Sequence, residues 1–468
     1  MLKDYIGTKQ FYKRVFVVMA PVLLQNVITM FVSLLDNIMV GQVGTEPMSG
    51  VAIANQLLFV FNLCIFGGLS GAGIYTAQFY GKRDNKGITH TIRIKLFVAV
   101  AASVLFALIF LFGGRELINA FLHEGTEALD LQATFTHSYH YLHIMMIQLL
   151  PFSLSQVYAS SLRETNDTVF PMKASMIAVA VNLAGNYILI FGKLGLPKLG
   201  AEGAAIATVI ARFVEFLLLI IYTHSKKEKF PFFTGLYKSF RVPAKLIREV
   251  AKKGTPLLLN EVLWSAGTAM QNQCYSVRGL EIVSAVNISS TVSNLFFSAL
   301  MATGSAIAIL VGQKLGAGKT EEAIREDKQI TLLSIVMCIV LGAVLALVAP
   351  GITSIYNTTA VVKSYAVSFL YITACFLPLY AYTHCCYFTL RTGGKTIITF
   401  IFDSFLIWVA YVPAAFVLTR YTGLDIVVVI ILVNAIEIIK CIIGFFMVKS
   451  KKWAVNLVSD EKVGEDLT

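Results

Sequence analysis

The sequence predicts an all-α polytopic membrane protein with twelve transmembrane helices in two pseudo-symmetric six-helix lobes. Three observations carry this. First, 57% of the 468 residues are hydrophobic and only 14% are charged, with a mean hydropathy of +0.73. Soluble domains carry roughly 25% charged residues. The deficit runs the length of the chain, so it does not mark a single anchor. Second, twelve apolar segments each reach the roughly 20 residues that a spanning helix needs. Third, the two halves match at one constant offset.

In order, the predicted spans are 15–40, 51–80, 93–113, 135–160, 171–192 and 202–223, then 255–276, 284–313, 329–350, 363–389, 396–420 and 425–448. The first run is long enough to span and follows a polar start, "MLKDYIGTKQFYKR", so no cleavable signal is expected. Alternate loops are basic. The start carries Lys3, Lys9, Lys13 and Arg14, and "GKRDNKGITHTIRIK" carries five lysines and arginines. The sixth-to-seventh loop, "HSKKEKFPFFTGLYKSFRVPAKLIREVAKKG", is the most basic. The opposite loops are poor in Lys and Arg, and one holds Glu116, Glu124, Glu127 and Asp130. Lys/Arg excess marks the cytoplasmic side, so both termini are expected there, in a multi-pass plasma-membrane protein. The net charge of +11 is thereby explained by topology, and no nucleic-acid partner is expected. The seven cysteines fall within apolar runs without metal or disulfide spacing.

Pro21/Pro256, Gly44/Gly279, Ser49/Ser284, Phe61/Phe296, Gln78/Gln313 and Gly81/Gly316 share an offset of 235 residues without a gap. Six helices per repeat start each half on the same side, so the repeat is parallel. The expected division is an N-lobe over 1–223, a basic cytoplasmic linker over 224–253, a C-lobe over 254–448 and a cytoplasmic tail over 449–468. Repeated bundles suit a transporter that rocks one half against the other. No nucleophile–base set, metal motif or nucleotide loop suggests an enzyme.

An ionisable residue within a span costs roughly 2.5–3.5 kcal/mol on insertion scales, which makes each a functional candidate. Asp36 lies in the first span, Glu261 in the seventh and Asp403 in the eleventh. Arg212/Glu215 and Glu437/Lys440, each three residues apart, can neutralise each other within a helix turn. Asn182 and Asn186 in "VNLAGNYILIFG" are four apart and share a helix face. They could glue helices by hydrogen bonds or, beside an aspartate, offer oxygens to a small cation. Tyr75, Tyr139, Tyr158, Trp264, Tyr380 and Tyr387 lie near polar residues, where they could line a cavity for flat or cationic ligands or simply pack.

These residues carry a resemblance. Through "APVLLQNVITMFVSLLDNIMVGQVG", "AQFYGKRD", "SLRETNDT", "NLAGNYILIFGKLGLPKLGAEGAAIAT", "GTPLLLNEVLW" and "GQKLGAGK", nearly the whole chain resembles the multidrug and toxic compound extrusion (MATE) transporters. The resemblance implies two six-helix lobes around a cavity, and export of organic cations and other amphipathic compounds driven by inward Na⁺ or H⁺. It implies a cation-coupling site at Asp36, Asn182, Asn186 and Thr208, with Na⁺ as its possible metal. Asn186 stands where members with the best-formed site carry an aspartate. Glu261 resembles the family's glutamate in the seventh helix, a candidate in the second lobe. Tyr380 stands where one branch has an aspartate. A monomer that takes small amphipathic or cationic substrates, with no cofactor beyond the coupling ion, is expected. The alternative is a flippase for a lipid-linked oligosaccharide or another amphipathic lipid, whose cavity should be basic.

Overall fold

The computed structural model describes residues 5–122 and 130–459. Lys3, Glu124 and Glu127 lie outside them. The described chain is all-helical, and each expected span is a helix. The first six are α1 (Lys9–Gly41), α2 (Thr45–Lys82), α3 (Asn85–Asn119), α4 (Leu131–Met146 and Leu149–Glu164), α5 (Val169–Phe191) and α6 (Gly200–Ser225). The others are α7 (Ala244–Ser276), α8 (Leu280–Gly316), α9 (Thr320–Ile355), α10 (Ala360–Thr392), α11 (Thr396–Tyr421) and α12 (Ile426–Lys449). Most helices run past their apolar segments, because the polar flanks continue the helix beyond the bilayer.

Two departures have local causes. α4 bends by 50° between Met146 and Leu149. Pro151 has no N–H to give to the Ile147 carbonyl, so the hydrogen-bond ladder breaks there. α7 is long enough to cross but more polar than the other spans, since Asn260, Glu261, Gln271, Asn272 and Gln273 lie along it. α8 contains a π turn over Ile307–Val311, and α11 contains two, Ile401–Phe405 and Ile407–Tyr411. Such turns insert one residue into the ladder and often accompany functional positions.

By contact the chain forms two compact units. One comprises 24–76 and 85–247, the other 1–23, 77–84 and 248–468. The boundary therefore falls inside α1 and α2 rather than only in the basic loop.

In the first unit, α5 and α6 pack backbone to backbone. A Cβ on Gly203 would stand 2.7 Å from the Leu189 carbonyl oxygen, and one on Gly185 would meet Ala207 at 2.9 Å. Small residues at such a crossing let spans approach without a hydrophobic driving force between them. The basic linker is folded here. Arg93 of α3 donates to the carbonyls of Leu236 and Arg241 at 3.1 Å and of Gly235 at 3.2 Å, while Phe232, Phe233 and Leu236 are buried.

In the second unit, the repeated motifs meet. A Cβ on Gly81 would lie 1.9 Å from the Gln313 carbonyl oxygen, and one on Gly316 would lie 1.9 Å from that of Gln78. The pairs Gln78/Gln313 and Gly81/Gly316, matched by offset in the sequence, thus form one reciprocal crossing that only glycine permits. The start of the tail closes over it. Trp453 is buried, the Gln78 carboxamide accepts from Leu457 N at 2.7 Å, and its Nε2 donates to Thr392 O at 3.2 Å.

Candidate functional site

The α5/α6 crossing fixes the site. With the two helices in backbone contact at Gly185 and Gly203, Asn182 and Asn186 on one face of α5 look across to Thr208 on α6, and Asp36 of α1 closes the group. Asn186 Nδ2 donates to Asp36 Oδ1 at 2.6 Å. The Asn182 amide is best satisfied with its nitrogen towards Asp36, donating at 3.0 Å to Oδ1 and 3.3 Å to Oδ2, and its oxygen 3.0 Å from Thr208 Oγ1. Thr208 Oγ1 also lies 2.9 Å from Ala204 O. Asn182 and Asn186 are 6% and 1% exposed, so their amides must find partners within the protein. Asn186 Oδ1 is buried and has none among the described residues.

One nearby group escaped the sequence reading. Tyr141, buried and hydrogen-bonded to Asn55, is close enough to Asp36 to act on it electrostatically, as is Arg212. Arg212 forms the expected ion pair with Glu215 at 2.8 Å and also lies over the Phe152 ring at 5.2 Å. Neither Tyr141 nor Asn55 belongs to a motif; only the fold brings them here.

The second unit holds a different cluster. Tyr387 donates to Glu261 Oε1 at 3.2 Å. Asn260 Nδ2 reaches Tyr387 Oη at 3.3 Å and Asp403 Oδ2 at 3.2 Å. Ser404 Oγ donates to Asn260 at 2.7 Å from within the first π turn of α11. Lys440 pairs with Asp403 Oδ1 at 2.7 Å. This corrects the expected Glu437–Lys440 pair. Lys440 reaches across to α11, and the Glu437 carboxylate is satisfied by hydroxyls instead, accepting from Tyr411 at 2.5 Å and from Thr383. The spacing allowed the pair within α12, but two hydroxyls already solvate the Glu437 carboxylate, and Lys440 goes to Asp403 on the neighbouring helix.

Residues 21–188 and 256–417 each match the MatE family model. The chain belongs to the MatE family. The two matches start at Pro21 and Pro256, the residues that anchor the internal offset. Among MatE relatives, a probable multidrug resistance protein NorM of Thermotoga maritima is 26% identical over 95% of this chain and 94% of its own length. A probable multidrug resistance protein YoeA of Bacillus subtilis is 25% identical over 87% of each chain. A MOP superfamily transporter from Pyrococcus furiosus shares the fold with a TM-score of 0.85, at 18% identity over 96% of this chain and 98% of that one. An outward-facing multidrug resistance MATE transporter does so with a TM-score of 0.82, at 18% identity over the same shares. The chain is thus a multi-pass membrane protein with the twelve-helix, two-lobe MatE architecture.

The six aromatic candidates of this MatE chain have separate surroundings. Tyr75 and Tyr158 are buried, and Tyr158 bonds to Tyr237 Oη at 2.6 Å and to His224 at 3.1 Å. Tyr139 lies under Arg115, 5.3 Å from its ring, and stacks on Phe135. Tyr380 donates to Asn434 and packs on Phe297. Tyr387 belongs to the Glu261 cluster. Trp264 is 40% exposed on α7.

Proposed function

We propose that this chain exports amphipathic or cationic small molecules from the cytoplasm across the plasma membrane, and that inward movement of H⁺ or Na⁺ through the Asp36 site drives the export. Membership of the MatE family, and relatives described as multidrug resistance proteins, support the efflux part. The Asp36 geometry supports the coupling part.

One observation carries the coupling: two buried amides donate to a single carboxylate while Asn186 Oδ1 has no partner among the described residues. An ionised carboxylate only accepts, so this arrangement fits Asp36 in its charged form. A protonated Asp36 has one O–H to donate, and a bound Na⁺ needs oxygen ligands. Either event is served by the same movement. The Asn186 amide turns over, its oxygen faces Asp36, and its orphaned acceptor is satisfied. The amide pair is then a two-state element that the coupling ion biases. Its change of hydrogen bonding repacks α1 against α5, and cargo affinity falls. Ion and cargo would compete through that element, as thermodynamic linkage requires.

The test is efflux of a fluorescent organic cation from proteoliposomes, with H⁺ and Na⁺ gradients imposed separately. Asp36→Asn, reconstituted at the level of the wild type, should respond to neither gradient. Gradient-driven efflux by that variant at the wild-type rate overturns the coupling role.

A further inference from the structure

We propose that the folded basic linker after α6 holds a binding site for the phosphate headgroup of an anionic lipid, separate from the transport machinery. Residues 226–243 contain five Lys or Arg and a single acid, Glu228. Here they do more than mark a membrane side. Pinned by Arg93, they enclose a cavity of about 430 Å3 whose lining includes His224, Lys227, Phe233, Tyr237 and Lys238.

The basic groups around it divide into two kinds. Lys229 is spent on Asp167, at 2.5 Å, and Lys226 lies over the Tyr222 ring at 4.6 Å. Arg93 is spent on three backbone carbonyls. The ammonium groups of Lys227 and Lys238, both exposed at the cavity, make no ion pair or hydrogen bond among the described residues. Two uncommitted ammonium groups on one cavity attract an anion. Asp167, the acid that could have answered them, already accepts from Lys229, Tyr222 and Phe170 N.

The approach to the cavity selects a lipid over a soluble phosphate. Phe97, on the apolar part of α3, is 49% exposed and meets Phe240 edge-on at 6.0 Å. Phe240 in turn lies 6.3 Å from Tyr237, whose hydroxyl is fixed by Tyr158. Exposed rings therefore run from the span to the lysines. Acyl and glycerol carbons lie along such a path, and the phosphate arrives where the two ammonium groups wait. Rigid aromatic flanks and a charged mouth are the requirements of an interfacial lipid site, and a basic surface near an anionic leaflet gains affinity with each lysine.

The experiment is native mass spectrometry of the full-length protein in detergent, titrated with phosphatidylglycerol or phosphatidylcholine of matched chains. The wild type should retain phosphatidylglycerol preferentially. The double variant Lys227→Ala/Lys238→Ala should lose that preference by about 25-fold, at roughly fivefold per lysine. The double variant Lys9→Ala/Lys13→Ala, which removes two exposed lysines from α1, should keep it. Equal retention of the two lipids by the wild type overturns the site. So does an equal loss in both double variants, which would mean diffuse charge attraction, or displacement of the lipid by millimolar glycerol phosphate, which would mean a soluble-anion site.

Discussion

The polar clusters of the two units use the same helix scaffold and solve opposite problems. Around Asp36, one carboxylate accepts from two amides, one of which is backed by the Thr208 hydroxyl, and among the described residues no cation is in hydrogen-bond contact with it. Around Asp403, a lysine holds one carboxylate at 2.7 Å, while Glu261, the second, accepts from a tyrosine. The first cluster is balanced only in one amide orientation and would change balance on the arrival of a proton or metal ion. In the second, an internal ion pair fixes part of the charge before any ligand comes. A buried pair of that kind breaks even against an apolar core at best, but losing one partner is costly. The repeat therefore supplied two matching frames, and side-chain chemistry made one easy to switch and the other stiff.

The largest expected effect strikes the switchable cluster. Asp36→Asn should leave folding intact, because an amide still satisfies its neighbours with one hydrogen bond rearranged, yet abolish gradient-driven efflux. Glu261→Gln should spare part of the coupling, since Lys440 and Asp403 keep the second cluster ordered. Initial efflux rates of both variants in the same proteoliposomes make the comparison. Equal loss in the two would erase the distinction between the clusters.

Next is the stiff cluster. Lys440→Met strands the Asp403 carboxylate, whose side chain is 15% exposed. Removing one member of a buried pair costs about 3–5 kcal/mol. Thermal unfolding in detergent should show this, and Asp403→Asn added to Lys440→Met should recover most of it. A Lys440→Met variant that melts with the wild type would show that the pair contributes nothing to the fold.

How far the sequence revealed these two clusters differs for a physical reason. Apolar length fixed the twelve spans, because a bilayer requires about 20 apolar residues whatever the packing. The Asp36 group was legible because the resemblance to the MATE transporters joined Asp36, Asn182, Asn186 and Thr208; from the residues alone, only the shared helix face of Asn182 and Asn186 and the lone charge of Asp36 could be read. The partner of Lys440 was not legible. Glu437 stands one turn away and Asp403 on another helix, and only tertiary packing decides between them. Asn260, Asn55 and Tyr141 were missed likewise, since a lone amide or phenol in an apolar run has no sequence signal until a fold supplies its partner. The α4 bend had a visible cause in Pro151, though length alone had joined the two pieces into one span. The tail, read only as cytoplasmic, buries Trp453 because Gly393 leaves room for its backbone, a contact 60 positions apart in the chain.

Asn186→Asp sharpens the comparison from the other side. It restores a second carboxylate 2.6 Å from the first and turns the amide switch into an acid pair. Two carboxylates so close do not both ionise without a cation between them. Sodium should therefore raise the melting temperature of this variant more than that of the wild type, while potassium should not. An unchanged response to sodium would mean that the oxygens at this site do not converge on a common point.

The smallest effect tests the orientation of one amide. With the Asn182 nitrogen facing Asp36, its oxygen is left to the Thr208 hydroxyl at 3.0 Å. Thr208→Ala removes that partner and, at about 1 kcal/mol for a hydrogen bond, should change the ion concentration for half-maximal efflux about fivefold. Thr208→Ser keeps the hydroxyl and should behave as the wild type. With the amide in the reverse orientation, its nitrogen faces Thr208 and its oxygen faces Asp36. That oxygen is placed to meet a protonated Asp36 or a bound cation, so cutting the amide loose by Thr208→Ala lets its nitrogen turn to the carboxylate and compete with the ion. The sign of the shift therefore reads the orientation directly: a lower half-maximal ion concentration in the variant places the nitrogen on Asp36, and a higher one places the oxygen there.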